Sequence, residues 1–429
     1  MIRDQIRQGA WLLVVTAAIA LAATGCRTGA PQHGVASTSR PAVFFPVPPD
    51  RPRVQFLTAL NGADDIEPKK GAFKAFIIGK DTAGLDARGV GRPHGIAVRE
   101  GVVYVCDTAA NRIVRLNLRE RTFTSFGTRG IGRLRKPVNL AVDEAGFAFV
   151  ADTLRQQVVV FGPDDAYVNA FPLPDGGRPV DVAVRGDELY VLDNDKTPQV
   201  VVLERRSGKV LRAFGAFGSG SGQLNLPTAV AVGPNGDVVV SDTLNFRVQK
   251  YTGDGRLVWE RGEAGRRLGQ FARPKGLAVG PDGVVYVVET AMELVQMFNA
   301  EGQLLMHLGG PGDGPGALML PASVAVDRTS IPFFQQYVYP GFTVDYLVFV
   351  TSQVGARRVS VYAFGSFPEG YVPAEGTIQA LPVLPPTTDS FGPDASRESL
   401  GKPAEDAPPA AGNRDAGPVP GAPGKAGGK

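Results

Sequence analysis

Few residues in this chain are of types that do chemistry near neutral pH, and their positions follow a rule. The 429 residues include 3 histidines and 2 cysteines. His94 directly follows a proline in RPHGIAV, and Lys275 holds the same slot in RPKGLAV. Asn139 and Asp181 stand two places after a proline in KPVNLAV and RPVDVAV. An imidazole can bind zinc or take a proton, amide and carboxylate oxygens suit hard cations, and an ammonium holds an anion. Just before those prolines come Arg92, Lys136, Arg178 and Arg273. A catalytic zinc site normally wants three protein ligands and a structural one four. The other histidines, His33 near the N-terminus and His307 in LLMHLG, fall outside the equivalent slots. The sequence therefore predicts no metal, no cofactor and no catalytic set. What it offers is a cationic rim around His94, Asn139, Asp181 and Lys275, a candidate site for a small anionic or polar ligand.

Those residues share a frame that recurs. Pro, two free positions, a branched apolar residue, Ala and Val appear six times, starting at Pro93, Pro137, Pro179, Pro227, Pro274 and Pro321. A period in the forties, filled with short apolar runs and turn residues, points to propeller blades. After each frame comes a tight turn and a second strand, as in VVYVCD, FAFVAD, ELYVLD and DVVVSD. A third strand such as NRIVRL and a fourth such as TFTSFG complete an antiparallel blade. Small frame residues fit where inner strands converge on an axis, and a proline at the strand start costs no ladder bond. Asp107, Asp152, Asp193 and Asp242 end the second strands, with Glu289 and Ser352 in the remaining two units. Carboxylates repeated at one local position are expected to accept backbone N–H groups in turns, bridging to Arg112 or Arg247.

The set Pro-x-Gly-Ile-Ala-Val, Tyr-Val-x-Asp-Thr and Asn-x-Arg-Ile resembles the NHL repeat across roughly residues 53–365. The resemblance implies an all-β, six-bladed propeller with four antiparallel strands per blade. The sixth unit lacks an outer strand, and RVQFLTAL (53–60) is a strand without a blade, so the N-terminal strand is expected to close the last blade. Peptidyl-hydroxyglycine lyases are NHL-type propellers that hold zinc with histidines at frame positions; here only His94 is present. Gluconolactonase-type propellers hold Ca²⁺ with axial Glu, Asn and Asp; here Asn139 and Asp181 fall short of the six or more oxygens Ca²⁺ prefers. Some animal NHL domains bind RNA on the equivalent face, but a net charge of +3 does not mark a nucleic-acid binder, and an exported chain meets little RNA.

The last unit carries an insertion, DRTSIPFFQQYVYPGFTVDY, between its first two strands. Phe333, Phe334, Tyr337, Tyr339 and Phe342 make it a candidate partner-binding loop, the alternative being that it covers the channel bottom or a neighbouring blade.

The ends bear on location. Arg3 and Arg7 precede an apolar run from Ala10 to Ala23, too short to span a bilayer and followed by Ala-Thr-Gly-Cys. That ending resembles the bacterial lipobox, which implies cleavage after residue 25 and a diacylglyceryl group on Cys26. Arg27, not aspartate, follows the cysteine, which implies an outer-membrane lipoprotein. Cys106 then remains alone, so the exported fold needs no disulfide. The expected organisation is a signal peptide (1–25), a lipidated Cys and flexible stalk (26–50), a propeller (51–366) and a Pro/Gly/Ala-rich tail (367–429), disordered from about 385. The expected function is a membrane-tethered, non-enzymatic binding or scaffold module in the bacterial envelope, with an envelope protein partner. The alternative is an envelope lyase or lactonase-like hydrolase using the channel mouth.

Overall fold

A computed structural model describes residues 42–47, 49–68, 88–371 and 378–379. Each frame begins one sheet, four-stranded and antiparallel in five cases and extended by two further strands in the sixth, and the six sheets make a six-bladed β-propeller. Blade one consists of Pro93–Arg99, Val102–Asp107, Arg112–Asn117 and Thr122–Phe126. Blades two to five begin at Pro137, Pro179, Pro227 and Pro274 and repeat that order. Blade six takes Pro321–Asp327, Thr343–Ser352 and Val359–Ser366 from the C-terminal side. Its fourth strand is Val54–Leu60, antiparallel to Val359–Ser366, with Val54 opposite Phe364 and Leu60 opposite Val359. The N-terminal strand thus closes the ring.

The apolar interior lies between blades. Second and third strands are β-branched on both faces, because each sheet is covered on two sides. Six separate clusters of buried side chains result, one for each pair of neighbouring blades. Tyr104, Ile113 and Phe126 of blade one, for instance, meet Leu140, Val150 and Phe161 of blade two.

Two expectations need correction. The stretch 26–50 is not wholly a stalk. Ala42–Phe45 forms a fifth strand, antiparallel to Val54–Leu60, and Ile378–Gln379 pairs alongside it. Val43, Phe44 and Phe45 are buried there, which is ample reason for four apolar residues to leave solvent. The domain also runs past 366, since Phe367 is buried against Phe44 and stacks on Tyr371. The second correction concerns the aromatic insertion. Phe334 and Phe342 are buried, Phe333 and Tyr339 pack against the same core, and Tyr337 is 42% exposed. Ser330 and Thr329 accept the backbone N–H groups of Gly101 and Glu100, so the insertion caps the first hairpin of blade one. Gln55 clamps it from the other side, donating to the Tyr337 carbonyl and accepting from the Tyr339 N–H, both at 2.9 Å. Apart from Tyr337, its aromatics belong to the core that joins blades six and one. Cys26, the apolar run and the chain from 380 onward lie outside the described residues.

Candidate functional site

The pairing of each inner strand shifts register immediately after its frame proline, in all six blades. A bulge inserts an unpaired residue and re-aims side chains. The slot after the proline therefore turns toward the axis in every blade. His94, Val138, Val180, Thr228, Lys275 and Ala322 line one cavity of about 140 Å³, with Asn139 and Gly276 below them. Close approach at this depth explains the small frame residues: a Cβ on Gly95 would come within 2.2 Å of the Asn139 side-chain oxygen.

His94 Nδ1 lies 2.9 Å from the Val138 carbonyl. A carbonyl only accepts, so Nδ1 carries the hydrogen and Nε2 presents a lone pair. Burial pushes the His94 pKa down to about 4, helped by the nearby charge of Lys275, so the ring is neutral at pH 7. The Lys275 pKa is pushed down to about 8, first by burial and then by Arg273 and Arg92. Among the described residues no carboxylate pairs with Lys275. Arg92, Lys136, Arg178 and Arg273 do not line the cavity; they stand exposed at its rim. Arg178 is turned aside, its Nε and Nη2 donating to the Asn194 carbonyl at 3.0 and 2.6 Å.

Asp181 does not join this group. It faces the opposite cavity with Asn139 and Ser323. Its Oδ1 accepts from Val182 N at 2.7 Å and its Oδ2 from Val230 N, in the next blade, at 2.8 Å. Burial raises its pKa to about 8 against those two donors. Physically it is a buried staple between blades three and four. Asn139 likewise turns its Oδ1 to its own neighbour, Leu140 N, at 3.1 Å.

The turn carboxylates hold the rim in place. Asp107 accepts the backbone N–H of Arg92, Asp152 that of Lys136, Asp193 that of Arg178 and Glu289 that of Arg273. Asp242 does the same for Asn225, while Arg112 and Arg247 pair with Asp107 and Asp242. The carboxylates thus bind the main chain of the rim residues rather than their cationic ends. The threonine that follows the turn carboxylate ties neighbouring blades together. Thr153, Thr243 and Thr290 donate their hydroxyls to the carbonyls of Pro179, Pro274 and Pro321 in the following blades. The recurrence of Asp-Thr was the available signal.

No group of three or more His, Cys, Asp or Glu side chains that could hold a metal occurs among the described residues. Six four-stranded blades around an axis, entered through a polar mouth, define a six-bladed β-propeller. Within it, residues 224–251, spanning the first three strands of blade four, match the NHL repeat. The fold is similar to virginiamycin B lyase from Staphylococcus aureus, at 14% identity over 64% of this chain and 95% of that one, with a TM-score of 0.45. It is similar to a gluconolactonase from Xanthomonas campestris, at 16% identity over 76% and 98%, with a TM-score of 0.48. A calcium-binding protein, regucalcin, from Agrobacterium tumefaciens matches at 12% identity over 66% and 93%, with a TM-score of 0.46.

Proposed function

We propose that this protein is a membrane-tethered, non-enzymatic binding module of the bacterial envelope, and that its channel mouth takes a small anionic group. One observation carries the reading: Lys275 stands in a small cavity with the rim cations Arg92, Lys136 and Arg273 around its entrance, while the local carboxylates are spent on backbone N–H groups. A site of that kind attracts anions and supplies directed donors for them. Cys26, carrying the lipid, is the proposed tether to the outer membrane, and an envelope protein is the proposed partner. Titration calorimetry with inorganic sulfate tests the mouth: binding lost in Lys275→Met supports it, and equal affinity in that variant overturns it. Cys26→Ala is expected to release the protein from the membrane fraction.

A second reading has its own observation. A neutral His94 with a free Nε2 and a Lys275 that titrates near 8 share one cavity, a pairing suited to acid–base chemistry. Turnover of a lactone or a lyase substrate that vanishes on substituting His94 and Lys275 together would establish the enzyme instead.

A further inference from the structure

Loops from each outer strand to the next inner strand, and turns between second and third strands, open on one face of a propeller. Cross-loop bonds confirm the grouping here: Thr108 N donates to the Arg92 carbonyl, Leu244 N to Asn225, and Gln353 N to Leu320. This face has two properties that rarely coincide on a soluble surface. Large apolar side chains stand out from its loops, among them Ile131 at 76% exposure, Phe217, Leu154, Leu244 and Leu268. They are spread around the ring, where no single small ligand could cover them. The loop between blades one and two, GTRGIGRLRK (127–136), also carries Arg129, Arg133, Arg135 and Lys136 and no carboxylate.

The local bonds show how that loop is held. Arg155 Nη1 donates to the carbonyls of Ile131 and Arg133 at 2.8 and 2.9 Å, and Asp152 accepts Arg135 N and Lys136 N. The side chains of Arg129, Arg133, Arg135 and Lys136 have no carboxylate partner among the described residues, and all four are exposed. Beside them opens a cavity of about 690 Å³, lined by Arg133, Arg135, Arg155, Ile131 and Leu154. Acidic residues do occur elsewhere on the face, at Asp64, Asp65, Asp175, Asp195, Glu263, Glu293 and Asp313, and this loop carries four cations with no carboxylate of its own.

Chain direction supplies an independent observation. Val54–Leu60 runs toward this face, since the residues just after it pair with the loop entering blade one: Val90 N donates to the Asn61 carbonyl. Ala42–Phe45 is antiparallel to it and runs away from the face. Ala42, where that strand begins, therefore lies on the same side as the basic loop. Cys26 is 16 residues before Ala42, a maximal reach of about 55 Å at roughly 3.4 Å per residue.

We infer that this face lies flat on an anionic lipid bilayer, with Ile131 and Leu154 inserted among the headgroups and Arg129, Arg133, Arg135 and Lys136 against lipid phosphates. Apolar tips beside cations are what an anionic interface selects, because burial and charge attraction add. The contact lies on the same face as the channel mouth and shares Lys136 with its rim, but Lys275 is inside the cavity and takes no part in it, so Lys275→Met leaves it intact.

The test uses the full chain with Cys26→Ser, so that Cys106, which is fully buried, is the remaining native thiol. An environment-sensitive fluorophore is placed at Thr128→Cys on this face or at Glu144→Cys on the opposite one. Vesicles contain phosphatidylcholine alone, or with phosphatidylglycerol, and brominated acyl chains as quencher. The expected result is a blue shift and quenching at 128 with phosphatidylglycerol only, and neither at 144. Changing the four loop cations to Gln is expected to weaken that response roughly 600-fold, since each contributes about fivefold near an anionic surface. Ile131→Ser with Leu154→Ser should weaken it as well. Equal quenching at 128 and 144, an equal response to neutral vesicles, or indifference to the cation substitutions would overturn the assignment. So would tight binding of soluble polyphosphate together with vesicle binding that ignores the Ser pair, because the face would then serve a polyanion.

Discussion

Lys275 holds its ammonium in a partly buried cavity beside other cations, and that placement sets a pH dependence. Its pKa falls from 10.5 in the unfolded chain to about 8 in the fold. Between those values the unfolded chain holds the proton more tightly, so this residue makes stability rise with pH across about 8 to 10.5 and contributes no slope below 8. Anion binding moves the other way. Sulfate keeps its charge across this range, so its affinity should fall toward tenfold per pH unit above about 8, and calorimetry on Lys275→Met should show a flat profile. Asp242 supports a second prediction. It accepts from Asn225 N, Asn245 Nδ2, Arg247 Nε and Gln249 Nε2. Asp242→Ala would remove one of the two carboxylates that pair with the buried Arg247, leaving Glu260, and would leave the Asn225 N–H without its acceptor, so denaturant unfolding should show a loss of about 1–3 kcal/mol. At this scale the sequence was a partial guide. His94 and Lys275 were recognisable as neighbours because they share a slot in the frame. Asp181, one position further on, was not separable from them. A residue after the bulge points to the other side of the constriction, and nothing in PVDVAV shows where the pairing slips.

Strands and turns were legible wherever they repeat. A proline frame followed by a short apolar strand and a turn is weak evidence once and strong evidence six times. The elements that occur once were harder. AVFF (42–45) sits between prolines and small polar residues, and four apolar residues there carry no period, so the fifth strand of blade six was hidden. In the insertion, aromatic density was plain but its direction was not, because Phe and Tyr fill cores and contact surfaces equally well. Gln55 is the residue that decides its placement, through two bonds to the insertion backbone. Gln55→Ala should leave the Tyr339 N–H without its partner, cost about 1–3 kcal/mol and raise hydrogen exchange across 331–342 above that of the neighbouring strands. Unchanged protection there would mean that packing of Phe334 and Phe342 suffices. The inter-blade threonines should behave more mildly. Thr290→Val deletes one hydroxyl donor to the Pro321 carbonyl, and a loss of about 1 kcal/mol in denaturant unfolding is expected.

On the scale of the whole molecule, stability depends on closing a ring whose six apolar interfaces each need both neighbours. A blade has no core of its own, so a gap at any seam exposes two faces together. The vulnerable seam is blade six, where Val359–Ser366 depends for its outer partner on a strand some three hundred residues earlier in the chain. Removing residues 1–61 would delete both Ala42–Phe45 and Val54–Leu60. It would leave Val359–Ser366 as an exposed apolar edge and uncover Phe334, Phe342 and Phe367, which now pack around Phe44. Such an edge is a template for pairing with another chain. The truncated protein is therefore expected to self-associate and to melt well below the intact chain, whereas removing residues 380–429 should leave the melting temperature nearly unchanged. A peptide of residues 42–60 added in trans should then dock as the missing strand and restore a monomer, because main-chain bonds and alternate side-chain pockets specify it in the way any added strand is specified. If the truncated chain melted like the intact one, the sixth blade would be complete without its N-terminal strand, and closure could not be what holds the ring.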